Sequence, residues 1–366
     1  MTLAADLAGD TRFLNLPEAL RLESGTVLPQ MTVAYRTWGA LNHARDNTVL
    51  VCHALTGSAD VDQWWSGLLG PDRALDPTRD FILCSNVLGS CYGTTGPRSI
   101  NPLTGAPYGG DFPHITVRDM VRVQAHLLDE LGIARLALVI GGSLGGMQVL
   151  EWAALYPGRV GSIVVIGCGV RQSPWAIAWS EAQRQAIYAD PNWRGGNYSP
   201  STPPTAGLAA ARAMAMLSYR HWREFQRRFG RRQRADGVFE IESWLAHHGD
   251  ALVRRFDAAS YVTLTRAMDS HDLGSQRGDY TAVLAGLDVP ALVIGINSDL
   301  LYPLAEQQEL AGLLPSAKLA VLDSLHGHDA FLIETGKLNQ LIGDFRAVTA
   351  LRAPSPEYKE ARSCML

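Results

Sequence analysis

One pentapeptide constrains this chain more than any other feature: Gly141-Gly142-Ser143-Leu144-Gly145, set between an apolar β-branched run and a helical stretch. Residues 136–140 read as a strand. After Ser143, Met147, Val149, Leu150, Trp152 and Leu155 recur at helical spacing until Tyr156-Pro157-Gly158 stops them. A strand that turns into a helix at a serine makes a sharp, strained bend, where side chains two residues either way would collide. The serine hydroxyl then projects at a helix N-terminus, whose free N–H groups favour a developing anion. The plainer alternative is a glycine-rich turn with serine as its helix cap. Partners further along the chain weigh against it.

Short apolar runs bounded by Gly, Asn, Asp or Pro predict strands over residues 31–35, 48–52, 81–85, 136–140, 162–166, 291–294 and 319–322. From Thr48 onward they lack clean alternation, as expected of a parallel sheet covered on both faces. Residues 116–131 read as a helix, with Met120, Val121, Val123, Leu127, Leu128 and Leu131 on one stripe and Gly132 as a stop. Strand and helix alternate, which predicts a doubly wound, mostly parallel α/β sheet. Between about Ser173 and Ser275 strand signals vanish, helix formers dominate, and five of the nine tryptophans gather (Trp175, Trp179, Trp193, Trp222, Trp244). The expected organisation is therefore a core of residues 1–172 and 276–352, a helical lid inserted at 173–275, and a polar, frayed tail at 353–366. Inserted segments of this kind commonly cover a site on the strand ends.

A serine hydroxyl is a poor nucleophile until an imidazole takes its proton and a buried carboxylate fixes the imidazole tautomer. In the α/β-hydrolase fold the acid precedes the histidine, each on a loop after a late strand. The run 291–294 leads to Asn297-Ser298-Asp299, and 319–322 leads to His326-Gly327-His328-Asp329. Asp299 is the candidate acid. His326 and His328 both remain candidates for the base, with His328 favoured because Gly327 leaves the backbone room to present it. A second oxyanion donor must come from the loop after an early strand. That loop is His53-Ala54-Leu55-Thr56-Gly57, so the N–H groups of Leu55 and Leu144 are the expected pair, with His53 as a brace.

Composition removes several other functions. The net charge of −4 is too mild to point to nucleic acid or an anionic membrane as main partner. Five cysteines at irregular spacing, with no C-x-x-C, suggest neither a disulfide framework nor zinc, and no metal cluster is visible. Residues 1–10 hold two acids and no basic stretch, unlike a signal peptide, and no apolar run is long enough to span a bilayer. The expected setting is cytoplasmic. Arg220, Arg223, Arg227, Arg228, Arg231, Arg232 and Arg234 read as a solvated helix face in preference to a phosphate site.

With these residues placed, the chain resembles homoserine O-acyltransferases of the α/β-hydrolase type, from about Val33 to Phe345. The resemblance rests on Cys52-His53-Ala54-Leu55-Thr56-Gly57, on Cys91-Tyr92-Gly93-Thr94-Thr95-Gly96-Pro97 with Ser99-Ile100-Asn101-Pro102 and Pro107-Tyr108-Gly109, on the segment around Ser143 with Met147-Gln148, and on Gly327-His328-Asp329-Ala330-Phe331-Leu332. It selects His328 as the base. It implies transfer of an acyl group from acetyl-CoA, a co-substrate and not a resident cofactor, to L-homoserine for methionine synthesis. It further implies that Arg212 and Tyr219 hold the amino acid acceptor, that Asp329 meets its ammonium, that Thr56 lies at the same mouth, and that the enzyme is a homodimer. A zwitterionic acceptor needs such an arginine fork and such a carboxylate. Leu301 stands where succinyl-using members tend to carry arginine, which favours acetyl. Succinyl transfer, serine as acceptor and plain ester hydrolysis are the alternatives.

Overall fold

The computed structural model describes residues 9–352, so the expected tail at 353–366, Cys364 and most of the N-terminal stretch lie outside the described residues. The strands are β1 (Arg12–Leu16), β2 (Leu20–Arg21), β3 (Val27–Leu28), β4 (Met31–Trp38), β5 (Thr48–Cys52), β6 (Phe81–Ser85), β7 (Leu138–Gly142), β8 (Ile163–Ile166), β9 (Ala291–Ile296) and β10 (Ala317–Leu322). Eight of them form one sheet in the order β1-β4-β6-β5-β7-β8-β9-β10, while β2 and β3 pair as a small ribbon. From β6 to β10 every pairing is parallel, and β4 and β1 add antiparallel strands at one side.

Burial explains why the central strands read as unbroken apolar runs. On β5, Leu50 and Cys52 join the core on one face and Val49 and Val51 the core on the other; on β8, Ile163 and Val165 divide from Val164 and Ile166 in the same way. The first face is covered by the helices Val117–Glu130 and Leu144–Leu155, the second by Trp65, Leu68, Phe331, Leu338 and Ile342. Helix Val117–Glu130 starts where the pattern predicts. The Thr116 side chain accepts from the Asp119 N–H, and the Asp119 carboxylate accepts from the Thr116 N–H, each at 3.1 Å.

Three features depart from the expectation. Strand β7 is displaced by two residues, to Leu138–Gly142, because Gly141 pairs with Cys52 and Val165, and Gly142 with Ile166. The strand thus delivers Ser143 directly at its end. β10 is not covered on both faces: it closes one edge of the sheet and leaves Val321 46% exposed. The edge strand β1 carries no clear signal, since only Leu16 of its five residues is buried.

Between β8 and β9, which pair directly, the chain runs through the helices Pro174–Tyr188, Thr205–Tyr219, Trp222–Arg228, Glu240–Val253, Ala258–Asp269 and Tyr280–Ala285. Helix Thr205–Tyr219 packs between Pro174–Tyr188 and Glu240–Val253 and also touches the turn Gly327–Asp329. Cys52, Cys84, Cys91 and Cys168 are free thiols, and no described helix is long and apolar enough to cross a membrane.

Candidate active site

Ser143 sits at the β7 end with φ 57° and ψ −125°, a backbone state that costs a non-glycine residue on the order of 1–3 kcal/mol. Its surroundings enforce the bend. Its N–H donates to the Ile166 carbonyl at 2.9 Å. A Cβ on Gly145 would lie 2.1 Å from the Cys52 carbonyl oxygen, and one on Gly141 would lie 2.5 Å from the Gly145 backbone. Both glycines are therefore required by close approach of neighbouring chain. The hydroxyl heads helix Leu144–Leu155 and makes no hydrogen bond to a described residue, His328 included. Serine–histidine hydrogen bonds often tighten only once substrate is bound.

The late loops bring the candidate acid, Asp299, and the candidate base, His328, together. The Asp299 carboxylate accepts from the Leu301 and Tyr302 N–H groups at 2.8 and 2.9 Å, which fixes its plane. Its other oxygen lies 2.6 Å from His328 Nδ1. Donation of the Nδ1 proton to Asp299 leaves the Nε2 lone pair free, the tautomer a general base needs. Burial works against the imidazolium of His328, but the attraction and hydrogen bond of Asp299, with Asp329 beside it, outweigh that and raise its pKa above the ordinary 6.5. The ring is wedged among Tyr302, Phe331 and Tyr219, with centroids 5.2, 5.4 and 5.7 Å away. His326 turns elsewhere, its Nδ1 3.3 Å from Glu224.

The loop after β5 is braced from beneath. Fully buried His53 donates from Nδ1 to the Ala54 carbonyl at 2.8 Å and accepts at Nε2 from the Val87 N–H at 3.1 Å. Both nitrogens are used by the neutral ring, and burial pushes its pKa down to about 4. Gln148 Nε2 donates to the carbonyls of both His53 and Leu144 at 3.2 Å, so one side chain ties the Leu55 loop to the Ser143 helix. Gln148 is held in turn by Gln124 at 2.8 Å, and Gln124 by Trp152 at 2.7 Å. Neither the Leu55 nor the Leu144 N–H has an acceptor among the described residues.

Above this floor, Arg212 is half-buried with its guanidinium carbon 5.4 Å from the Tyr219 ring centroid, so the seven-residue spacing does place them on one helix face. No described carboxylate pairs with Arg212, and the Tyr219 ring neighbours both it and His328. The remaining substrate candidates already have protein partners. Asp329 accepts from Arg220 Nε at 2.9 Å. The Thr56 carbonyl accepts from Arg255 at 2.6 Å, and the same arginine reaches the Tyr92 hydroxyl at 2.7 Å.

Comparison with known proteins supplies the family and agrees with the fold. A family model described as alpha/beta hydrolase fold matches residues 47–335. The homoserine O-acetyltransferase of Trichormus variabilis is 60% identical over 347 residues, spanning 94% of this chain and 96% of that protein. The chain belongs to the homoserine O-acetyltransferase family. That of Chlorobaculum tepidum is 56% identical over 93% of this chain and 96% of its own length. Among solved structures, a homoserine O-acetyltransferase from Bacillus anthracis superposes with a TM-score of 0.85 at 26% identity, covering 92% of this chain and 97% of that one. An esterase, E22, does so equally well, with a TM-score of 0.85 at 29% identity over 92% of this chain and 99% of that one.

One scaffold thus serves acyltransferases of this family and ester hydrolases, and the scaffold alone does not choose between them. The side chains around the site must do so. Glu224, Arg255 and Gln124 went unmarked in the sequence, Gln148 was noted only within a motif, and Arg220, read there as part of a solvated helix face, is instead buried against Asp329 and Glu224. The two glutamines had a signal, since each interrupts an apolar helix stripe and is almost fully buried. A polar side chain held there must find a partner.

Proposed function

We propose that this chain transfers an acetyl group from acetyl-CoA to the hydroxyl of L-homoserine through an ester on Ser143. The observation that carries this reading is Arg212, a half-buried cation with no described carboxylate partner, one aromatic ring away from His328. An unpaired cation removed from water is costly, and an incoming carboxylate offsets that cost. Hydrolysis of a neutral ester needs no such group; selection of an amino acid does.

His328, oriented by Asp299, takes the Ser143 proton as Oγ attacks the thioester carbonyl. The oxyanion is met by the N–H groups of Leu55 and Leu144, each worth about 3–4 kcal/mol where such donors have been removed. The carbon–sulfur bond breaks and the imidazolium returns the proton to the coenzyme A thiolate. Homoserine then enters with its carboxylate on Arg212 and Tyr219 and its ammonium toward Asp329. His328 removes the proton of its hydroxyl, the acyl carbon passes to that oxygen, and the Ser143 alkoxide recovers the proton. Leu301, buried beside Asp299, favours the small uncharged acetyl group over succinyl, which would bring a carboxylate to an apolar wall.

Steady-state rates at varied acetyl-CoA and homoserine test this. Parallel double-reciprocal lines are expected, with acetyl-CoA preferred to succinyl-CoA and homoserine to serine. Intersecting lines, or thioester cleavage that homoserine leaves unchanged, contradict it.

A further inference from the structure

The triad and the Arg212 hook leave one buried ionic network beside the site without a task. Arg220, the residue after helix Thr205–Tyr219, donates from Nε to Asp329 Oδ2 and from Nη1 to Glu224 Oε1, both at 2.9 Å. All three side chains are only 10–13% exposed. The guanidinium carbon also lies 5.9 Å from the Trp244 ring centroid, and Glu224 is 3.3 Å from His326. Two partners of this arginine thus come from the inserted helices, while the third follows the imidazole that serves as base.

The backbone shows that this junction is built for contact. Gly327 has φ 61°, and a Cβ there would lie 2.6 Å from the Tyr219 carbonyl oxygen and 3.0 Å from the Arg220 Cα. The histidine turn therefore packs directly on the backbone of the residues that carry the Tyr219 and Arg220 side chains. A planar guanidinium with fixed donor directions suits such a junction, because it holds two carboxylates at set angles where an ammonium holds them only by charge. With Oδ2 occupied, Oδ1 of Asp329 takes no hydrogen bond from a described residue.

We infer that Arg220 is a positioning residue for acceptor selection: it pins one oxygen of Asp329 so that the other faces the ammonium of an α-amino acid whose carboxylate sits on Arg212. This rests on the acyl-serine reading above and adds to it the group that sets the acceptor's second anchor. The acyl-serine ester can be broken by the acceptor hydroxyl, giving the acceptor ester, or by water, giving free carboxylate. Arg220 acts on that partition, because only a well-anchored acceptor outcompetes water. Formation of the acyl-serine precedes acceptor binding and feels Asp329 only through its charge beside His328, so it depends on Arg220 far less than transfer to the acceptor does.

Arg220→Gln and Arg220→Lys test the inference in three measurements on the full chain: the rate of Ser143 acylation by acetyl-CoA without acceptor, KM and kcat for homoserine, and the ratio of acetate to acetylhomoserine formed. For Arg220→Gln, acylation is expected within about twofold of the parent, while homoserine KM and the hydrolysis ratio each rise about tenfold or more. Arg220→Lys recovers part of both, since it restores the charge without the fork. Should Arg220→Gln fail to fold, Glu224→Gln loosens the same arginine from its other side, and a KM increase of about threefold is expected. Unchanged homoserine KM and partition in the folded variants overturn the inference, as does a parallel fall of acylation and transfer, the mark of a merely structural role. Failure of the parent protein to acylate Ser143 is a different result, and it removes the underlying reading.

Discussion

Ser143→Ala is expected to lower acetyl transfer by about 10⁶-fold while leaving the protein folded. Both halves follow from the geometry. The hydroxyl makes no hydrogen bond with a described residue, so its removal breaks no hydrogen bond among them. The strain at φ 57° is borne by the backbone and is the same for alanine as for serine. Glycines 141 and 145 and the Ser143 N–H bond to Ile166 hold the bend whichever residue stands there. Thermal unfolding of the variant should therefore match the parent closely, and the lost rate belongs to chemistry. Residual thioester cleavage, at about 10³- to 10⁴-fold over water, is what the oxyanion donors and substrate binding provide without a nucleophile. Transfer within tenfold of the parent would be incompatible with an acyl-serine.

Asp299→Asn is expected to cost about 10⁴-fold in kcat and to change the pH profile as well. An asparagine oxygen can still accept from the Leu301 and Tyr302 N–H groups, so the loop keeps its shape. Its amide NH₂ then faces His328 Nδ1, which must become an acceptor. The ring proton moves to Nε2, and the lone pair needed for the Ser143 proton disappears. In the parent enzyme the His328 pKa lies above 6.5, so the rate falls as pH drops through that raised value. Without the Asp299 carboxylate, burial, which favours the neutral ring, is opposed only by Asp329. The acid limb of kcat/KM for acetyl-CoA accordingly moves to lower pH. A rate within tenfold of the parent, or an unmoved acid limb, assigns the orienting role to some other group.

Most of what positions the site is local in the sequence, which is why it could be read there. The strand-to-helix turn at Ser143 is specified by five consecutive residues, and the loops bearing Asp299 and His328 each directly follow an apolar strand. Parallel strands buried on both faces announce themselves as unbroken apolar runs, as β5, β7, β8 and β9 do. The edges do not. β1 leaves Phe13 55% exposed, and β10 mixes buried and exposed positions without a strict period. The two-residue displacement of β7 arose because glycines, which carry no hydrophobic signal, extend its ladder.

Long-range pairing was the larger gap. Arg220 and Asp329 are 109 residues apart, and Arg255 and Thr56 are 199 apart. Within a run of seven arginines nothing local distinguishes Arg220 from Arg231 or Arg232, because helical spacing reports which residues share a face and not what covers that face. The structure separates them. Arg220 is buried against two carboxylates, whereas Arg232 meets Glu240 with its side chain 57% exposed. Arg212 shows the converse: the resemblance, not its own helix, pointed to it as an acceptor group, and the structure seats it half-buried on the Tyr219 ring near His328.

The central claim is tested most directly by rapid mixing of the protein with acetyl-CoA alone, followed by acid quench and intact-protein and peptide mass measurement. One acetyl group per chain on the peptide containing Ser143, formed within a turnover time and discharged when homoserine is added, is the predicted result. Turnover at full rate with no acetyl adduct on that serine, or with the adduct on another residue, contradicts it.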